Sequence, residues 1–524
     1  MRDLHLPGRS PVLALNGMCA TSHPLAAQVA VDMLARGGNA MDAAIAGAVL
    51  LGICEPQMTG IGGDCFVLWN APGSAEVRGY NGSGRAPSAA DAGALRRAGH
   101  AAVPLGSAAA VTIPGAVEAF CTLSAQHGRL GLDALLAPAI RYAEEGVPLA
   151  ARVIDDWPRS GPTLRGHAIR HYMPNGTPRA GSIFRAPGQA EALRRIARNG
   201  ASAFYEGEVA EDMLAALAEA GGVHRAEDFA GHRGTPTTPL SGEYSGVELV
   251  EHPPNGQGAT AILMLNILSH FDVAALDPLG AERVHLEAEA AKLAYDARNR
   301  LIADPDHAAR GARMLSPELA ADLAALIDPN RVIAAAPPLT EALHRDTVYI
   351  TVVDRDRMAV SLIYSIFHGF GAGIASEKFG ILLQNRGAGF TLEPGHPNEM
   401  GGGKRPMHTI IPGMLREDGR IKMPFGVMGG SYQPTGHARF VSNLRDFGMD
   451  PQTAIDAPRA YACDGKLRLE RGYAPEVRRA LVDLGHDVVT PDEPIGGAQA
   501  ILIRADGVLE GGSDPRKDGC ALGY

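Results

Sequence analysis

Apolar positions recur at helical spacing through most of the first 230 residues. Pro24 to Leu34 carries Leu25, Val29, Val31 and Leu34, and Gly37-Gly38 supplies a stop. Asn39 to Ile53 predicts a second, mostly apolar helix. Within it, Ala43 to Cys54 is the longest stretch free of charge or strong polarity, bounded by Asp42 and Glu55. As a helix that stretch would extend about 18 Å, too short for a bilayer core, so it reads as a helix buried inside the protein. Glu211 to Ala220 predicts another helix, closed by Gly221-Gly222. Ala281 to Ile302 predicts a long one with Val284, Leu286, Ala290, Leu293, Ala294 and Leu301 toward a core. The apolar run Cys65 to Trp69 reads as a strand and follows the loop Gly60-Ile61-Gly62-Gly63-Asp64.

The pattern changes at Thr347. Thr347 to Val353 is β-branched and aromatic, Asp354 to Arg357 is a charged turn, and Met358 to Ile366 is a second strand, which together predict a hairpin. Gly380 to Leu383, Thr409 to Ile411 and Gln499 to Ile503 read as further strands, and Gly436 to Phe447 and Ala474 to Leu484 as helices. Ala334 to Arg345 has little regular signal and is polar near its end, as expected of an exposed linker. No internal repeat is apparent.

Composition narrows the class. A length of 524 residues admits about two to four domains. The chain is 46% hydrophobic and 20% charged, which argues against global disorder. Its net charge of −10, with no long basic run, gives no reason to expect nucleic acid or a membrane surface as partner. The start, Met1 to Arg9, has no apolar segment after its basic residue, so a cytoplasmic protein is expected. The six cysteines form no C-x-x-C pair and are read as free thiols in a reducing compartment.

A Thr at the head of a strand is usually only a strand residue. Thr347 is different in following an irregular linker and the acidic Asp346. A cut between them would give Thr347 a free α-amine, with a pKa of about 8, beside its own hydroxyl, and that amine can take the hydroxyl proton. A turn centred between Arg355 and Asp356 pairs Thr347 with Tyr364. Ser365 then lies within one residue of being opposite, where its hydroxyl could orient Thr347. Gly426 to Ser431 fits either a tight turn between strand and helix or an oxyanion hole, since adjacent glycines leave N–H groups unobstructed near a helix start. The Gly60 to Gly63 loop lacks the Lys-Ser/Thr and the preceding strand of a phosphate cradle. His285 to Glu289 lacks the His-Glu-x-x-His order, and the histidines show no ligand spacing, so neither a metal nor any other cofactor is expected.

Many stretches, in order, accompany these features: Gly38 to Ala44, Gly60 to Gly63, Thr112 to Val117, Pro138 to Gly146, Asp304 to Asp306, Asp346 to Asp354, Phe370 to Ile374, Gly380 to Leu383, Lys404 to Pro406, Gly429 to Ser431, and Ser513 to Arg516 with the terminal Gly523-Tyr524. Together they resemble the γ-glutamyltransferase family over nearly the whole chain. The resemblance implies an α+β fold, the four-layer αββα sandwich of the N-terminal nucleophile hydrolases. It implies self-cleavage between Asp346 and Thr347 into a large chain, 1–346, and a small chain, 347–524, that together form one compact unit, further dimerisation being left open. It also implies an acyl-enzyme resolved by water or an amine. Thr347 is then the nucleophile, Ser365 stands where the family usually has a supporting Thr, and Gly429 and Gly430 supply the oxyanion N–H groups.

The departures bear on substrate. Ser83 stands where an Arg is expected, with Arg85 two residues on; Phe367 replaces an Asn, Arg386 a Gln or Asn, Gly389 an acid, and His408-Thr409 a Ser-Ser pair. The carboxylate that grips a substrate ammonium is therefore missing. Asn255 to Gly258, Tyr364 to Gly371 and Gln384 to Phe390 look more like the branch that includes oxamate amidohydrolase and the cephalosporin (glutaryl) acylases. The substrate-binding candidates are Arg85, Phe367, Arg386, Gly387, His408 and Thr409. Three readings follow: an amidohydrolase for a small anionic amide; a glutathione hydrolase and γ-glutamyltransferase with a rearranged pocket; or an unprocessed, inactive binding protein. The intact Thr347 and glycine pair count against the third.

Overall fold

The computed structural model describes residues 5, 8–308, 311–333 and 347–524. The linker expected at Ala334 to Arg345, and Asp346 itself, lie outside the described residues.

Two seven-stranded sheets are built entirely from antiparallel neighbours. One runs in the order Val12–Ala14, Leu509–Ser513, Gly497–Ile503, Arg420–Met428, Gly413–Glu417, Val247–Glu251, Leu240–Tyr244. The other runs Cys520–Gly523, Met18–Thr21, Val348–Val353, Ala359–Ser365, Asp64–Asn70, Val77–Gly82, Thr235–Thr237. Both sheets combine segments from before and after Thr347, so neither part of the chain completes a sheet alone.

The sheets pack face to face. Leu68, Val353 and Ala359 of one meet Val250, Met414 and Ile501 of the other, and Phe66, Tyr349 and Ile363 meet Met428 across the same interface. Helices cover the outer faces: Ala40–Cys54 lies on the sheet containing Val348–Val353, while Gly258–Leu268 and Gln433–Arg445 lie on the other. The four layers are those expected, α on β on β on α.

The helix Ala40–Cys54 shows why the sequence adopts this arrangement. All its residues are buried, which a segment that is apolar apart from Asp42 and rich in Ala and Gly permits because the backbone can approach the sheet closely. Its start is fixed by reciprocal caps: Asn39 Oδ1 accepts from the N–H groups of Met41 and Asp42, and Asp42 Oδ2 accepts from that of Asn39. Such a cap stabilises by about 1 kcal/mol. Among the described residues no helix is long and apolar enough to cross a membrane. All six cysteines are free, and only Cys520 is less than fully buried.

Most expected elements are present with ends moved by a few residues: Pro24–Ala35, Ala40–Cys54, Gly207–Glu219, Ala281–Leu301, Gln433–Arg445, Pro475–Asp483 and Gly497–Ile503. Two expected strands are not strands. Gly380 to Leu383 and Thr409 to Ile411 are buried loops, touched only by isolated bridges from Ala375 to Leu382 and from Gly256 to His408. Their apolar side chains are buried, which is what the pattern detects. Their backbone groups are met locally instead, as where Ser376 N–H donates to Ile381 O and Ile411 N–H to Gln433 Oε1.

Candidate functional site

The hairpin after Thr347 sets the geometry. Val348 faces Tyr364 and Val353 faces Ala359, so the turn is centred on Asp356 and the ladder, continued by one residue, puts Thr347 directly opposite Ser365. Side-chain parity agrees. Val348, Ile350, Val360, Leu362 and Tyr364 face the helical layer, Tyr349 and Ile363 face the opposite sheet, and Thr347 and Ser365 fall on this second face. Thr347 Oγ1 lies 3.4 Å from Ser365 Oγ, and both residues are buried.

Ser365 Oγ also accepts from the Phe367 N–H at 2.8 Å and, at 3.5 Å, from Arg386 Nη2. Arg386 is fully buried; its Nη1 donates to Thr409 Oγ1 at 3.0 Å, and its guanidinium carbon sits 3.8 Å above the Phe367 ring. Stacking and hydrogen bonding together fix the plane of a guanidinium. Phe367 holds φ of 82°, a left-handed backbone rare for an aromatic residue, and the neighbouring contacts maintain it. A permanent positive charge is thereby held one hydroxyl away from Thr347. Gly387 continues the Arg386 segment with its Cα near the Ala110 carbonyl, where an added Cβ would come within 2.8 Å of that oxygen.

The Gly60 to Gly63 loop lets backbones meet beneath this group. A Cβ on Gly62 would stand 2.1 Å from Leu382 O, and one on Gly63 would stand 2.4 Å from Ser365 O. Gly63→Ala should therefore push the end of the Ala359–Ser365 strand away and destabilise the protein by about 1–3 kcal/mol. The urea midpoint of the variant against wild type measures this; an unchanged midpoint means the contact is slack.

Asp64 had no assigned role in the sequence reading and is central here. It is fully buried. Its Oδ1 accepts from Gln384 Nε2 (2.8 Å), Gly84 N–H (3.0 Å) and Gly115 N–H (3.1 Å), and its Oδ2 from His408 Nε2 (3.2 Å). Burial raises its pKa to about 6 against the opposing pull of Arg386 and these donors. The one legible signal was an acid placed between a glycine loop and an apolar strand.

Two substrate-binding candidates have partners within the protein. His408 is not a cation: burial first, then Arg386 and His252, hold its pKa well below the ordinary value. Its Nε2–H donates to Asp64, while its Nδ1 accepts from Ile410 N–H at 3.3 Å. It positions the loop rather than offering a free donor. Arg85 pairs with Asp304 (3.3 Å) and Asp306 (2.8 Å) and donates to Gly403 O (3.0 Å). Sequence proximity to the expected Arg position did not reveal these acids because they lie more than 200 residues further on.

The glycine pair forms the turn between the strand Arg420–Met428 and the helix Gln433–Arg445, with φ of 122° at Gly429 and 57° at Gly430. Gln257 ties this turn to the Arg386 group: its Nε2 donates to Thr409 O (2.6 Å) and Gly430 O (3.0 Å), and its Oε1 accepts from Arg298 Nη1 (2.7 Å). Tyr295, one turn earlier on the Arg298 helix, donates its hydroxyl to Ser431 O. Gln257 lies in the Asn255 to Gly258 stretch of the resemblance but carries no role there, and Arg298 and Tyr295 look in the sequence like ordinary positions of the helix Ala281–Leu301.

A family model described as gamma-glutamyltranspeptidase matches residues 26–524. The chain belongs to the γ-glutamyltranspeptidase family. Among its relatives is the glutathione hydrolase-like YwrD proenzyme of Bacillus subtilis (strain 168), 35% identical with 98% of this chain and 99% of the relative covered. Another is the oxamate amidohydrolase proenzyme of Klebsiella pneumoniae, 36% identical over the same shares. A cephalosporin acylase from Bacillus halodurans has the same fold, with a TM-score of 0.93 and 37% identity, covering 100% of this chain and 98% of that one. As a γ-glutamyltranspeptidase-family protein with this fold, the chain is an N-terminal nucleophile type hydrolase or transferase acting on amide or γ-glutamyl bonds.

Proposed function

We propose that the protein is a self-processing amidohydrolase whose nucleophile is Thr347 and whose substrate is a small amide with an anionic far end. In processing, Thr347 Oγ1 attacks the carbonyl carbon of Asp346. The peptide bond becomes an ester as the Thr347 nitrogen leaves, and water hydrolyses the ester. Chain 1–346 then ends in a carboxylate and chain 347–524 begins with a free α-amine. In turnover that amine takes the Oγ1 proton as the oxygen attacks the amide carbonyl. The oxyanion is met by the N–H groups of Gly429 and Gly430, the proton passes to the leaving amine, and water releases the acid from the acyl-enzyme.

The observation that carries the substrate reading is the fixed, buried Arg386 cation beside Ser365. A guanidinium held there suits a carboxylate or a keto-acid oxygen. The nearby carboxylate, Asp64, already receives four donors and so is poorly placed to grip a substrate ammonium. Oxamate, named in one relative, carries a carboxylate next to its amide, and that chemistry fits such a pocket.

The test compares kcat/KM for a glutaryl anilide and for its γ-glutamyl counterpart, identical except for the α-amine. The glutaryl compound should be preferred by at least about tenfold, which is about 1.4 kcal/mol of transition-state preference. A γ-glutamyl preference of that size would mean that the amine is recognised, and the glutathione hydrolase reading would replace this one.

A further inference from the structure

We propose that His285, Glu289 and His486 form a binding site for a zinc-type divalent cation, separate from the Thr347 site. His285 and Glu289 stand one turn apart on the helix Ala281–Leu301 and so share a face. His486 comes from the loop after the helix Pro475–Asp483. One ligand atom from each lies within 4.8 Å of the others, and all three residues are buried. Spacing along the chain could not show this set, because His285 and His486 are 201 positions apart.

The arrangement around the three side chains is that of a ligand set with its supporting shell. His285 Nε2–H donates to Asp328 O at 2.8 Å, which leaves its Nδ1 lone pair directed at His486 Nε2, also 2.8 Å away. A metal-bound imidazole characteristically has its other nitrogen tied to a carbonyl in this way. Glu289 Oε2 accepts from Ile333 N–H at 2.7 Å, and its Oε1 from Lys292 Nζ at 2.5 Å. A cavity of about 210 Å³, lined in part by Lys292 and His486, adjoins the cluster and has room for a water as fourth ligand.

Two imidazoles, one carboxylate and a water suit zinc better than magnesium or calcium. Bonds of about 2.0–2.1 Å at tetrahedral angles put ligand atoms ~3.3 Å apart, so the two ring nitrogens would separate by ~0.5 Å. His486 would shift its ring proton to Nδ1, and Lys292 would move from Glu289 Oε1 into the cavity. The ammonium is thus a built-in competitor for the cation.

The site joins elements that carry the Thr347 chemistry's scaffold. Val332 N–H donates to Leu484 O, so the segment that leads to the linker is already docked beside His486. The same helix bears Tyr295 and Arg298, which hold Ser431 and Gln257. Two ligands precede Thr347 and one follows it, so in the processed protein of the preceding proposal the cation would bridge the two chains. The site itself does not depend on that reading.

The test uses purified full-length protein, stripped with a chelator, dialysed, and titrated with Zn²⁺ and separately with Co²⁺. One equivalent should bind, Co²⁺ should give the intense visible absorption of a tetrahedral site, and Zn²⁺ should raise the thermal midpoint. Glu289→Gln and His486→Gln should each abolish the Co²⁺ spectrum, and Lys292→Met should tighten binding by about tenfold or more by removing the competitor. Thr347→Ala should bind the cation unchanged, and stripped wild type should still hydrolyse amides, which separates this site from the catalytic proposal. Absence of a Co²⁺ spectrum in wild type overturns the inference even if a variant fails to fold. So does Zn²⁺ binding that is equal in wild type and both ligand variants, or no tightening in Lys292→Met. The cluster is then a hydrogen-bonded relay that holds the 328–333 segment.

Discussion

Thr347→Ala should run as a single uncut chain and show no amide hydrolysis above background. The hydroxyl lies 3.4 Å from Ser365 and immediately before the strand Val348–Val353, which pairs with Ala359–Ser365 from its first residue and with Met18–Thr21 from Ile350. Without it nothing on that residue can attack the Asp346 carbonyl, and no α-amine is released to act as base. Removing a covalent nucleophile typically lowers kcat by about 10⁴–10⁶. Thr347→Ser keeps the oxygen and should still cut, more slowly if the lost methyl loosens the rotamer. The checks are a denaturing gel and N-terminal sequencing of the smaller chain of wild type, which should begin Thr-Val-Tyr-Ile. Cleavage of Thr347→Ala at the same bond would sink the proposed chemistry.

Arg386→Gln should lower kcat/KM for an anionic amide by roughly 10- to 150-fold, chiefly through KM. That range corresponds to about 1.5–3 kcal/mol for a charge-assisted hydrogen bond. A neutral amide of the same size should lose far less, and an ammonium-bearing one should be unaffected or improved. Arg386→Lys keeps the charge but cannot hold the planar contacts to Phe367 and Thr409, so it should fall between the two. Parallel losses on anionic and neutral amides would mean that Arg386 only supports the fold around Ser365 and does not bind substrate.

What could be read from the sequence was what repeats or pairs locally. The helix Ala40–Cys54 and the hairpin Val348–Val353 with Ala359–Ser365 carry their patterns within a few residues. The turn was placed closely enough to bring Ser365 to Thr347 within one position, which is the uncertainty inherent in register. The buried loops at Gly380 to Leu383 and Thr409 to Ile411 were misread because a short apolar run looks the same whether its backbone pairs with a strand or with a loop. The roles of Asp64, Gln257 and Arg298 depend on contacts spanning 20 to 344 residues. A side chain's type says what bonds it can form, not which distant partner will reach it. The same limit explains Arg85 and His408, whose chemistry suited a substrate but whose partners within the protein claim their nitrogens.

The mixing of early and late segments in both sheets has a consequence for heat and denaturant. While the chain is continuous, Val348–Val353 is delivered to its slot between Met18–Thr21 and Ala359–Ser365 by its own tether. Once the bond before Thr347 is broken, regaining that slot after unfolding becomes a bimolecular event that depends on protein concentration, while each freed half exposes unpaired strand edges in the meantime. The uncut Thr347→Ala protein should therefore recover from urea at low concentration far better than the cut wild type. Persistence of the mature form becomes a matter of how slowly it opens, set by a barrier rather than by a reversible balance.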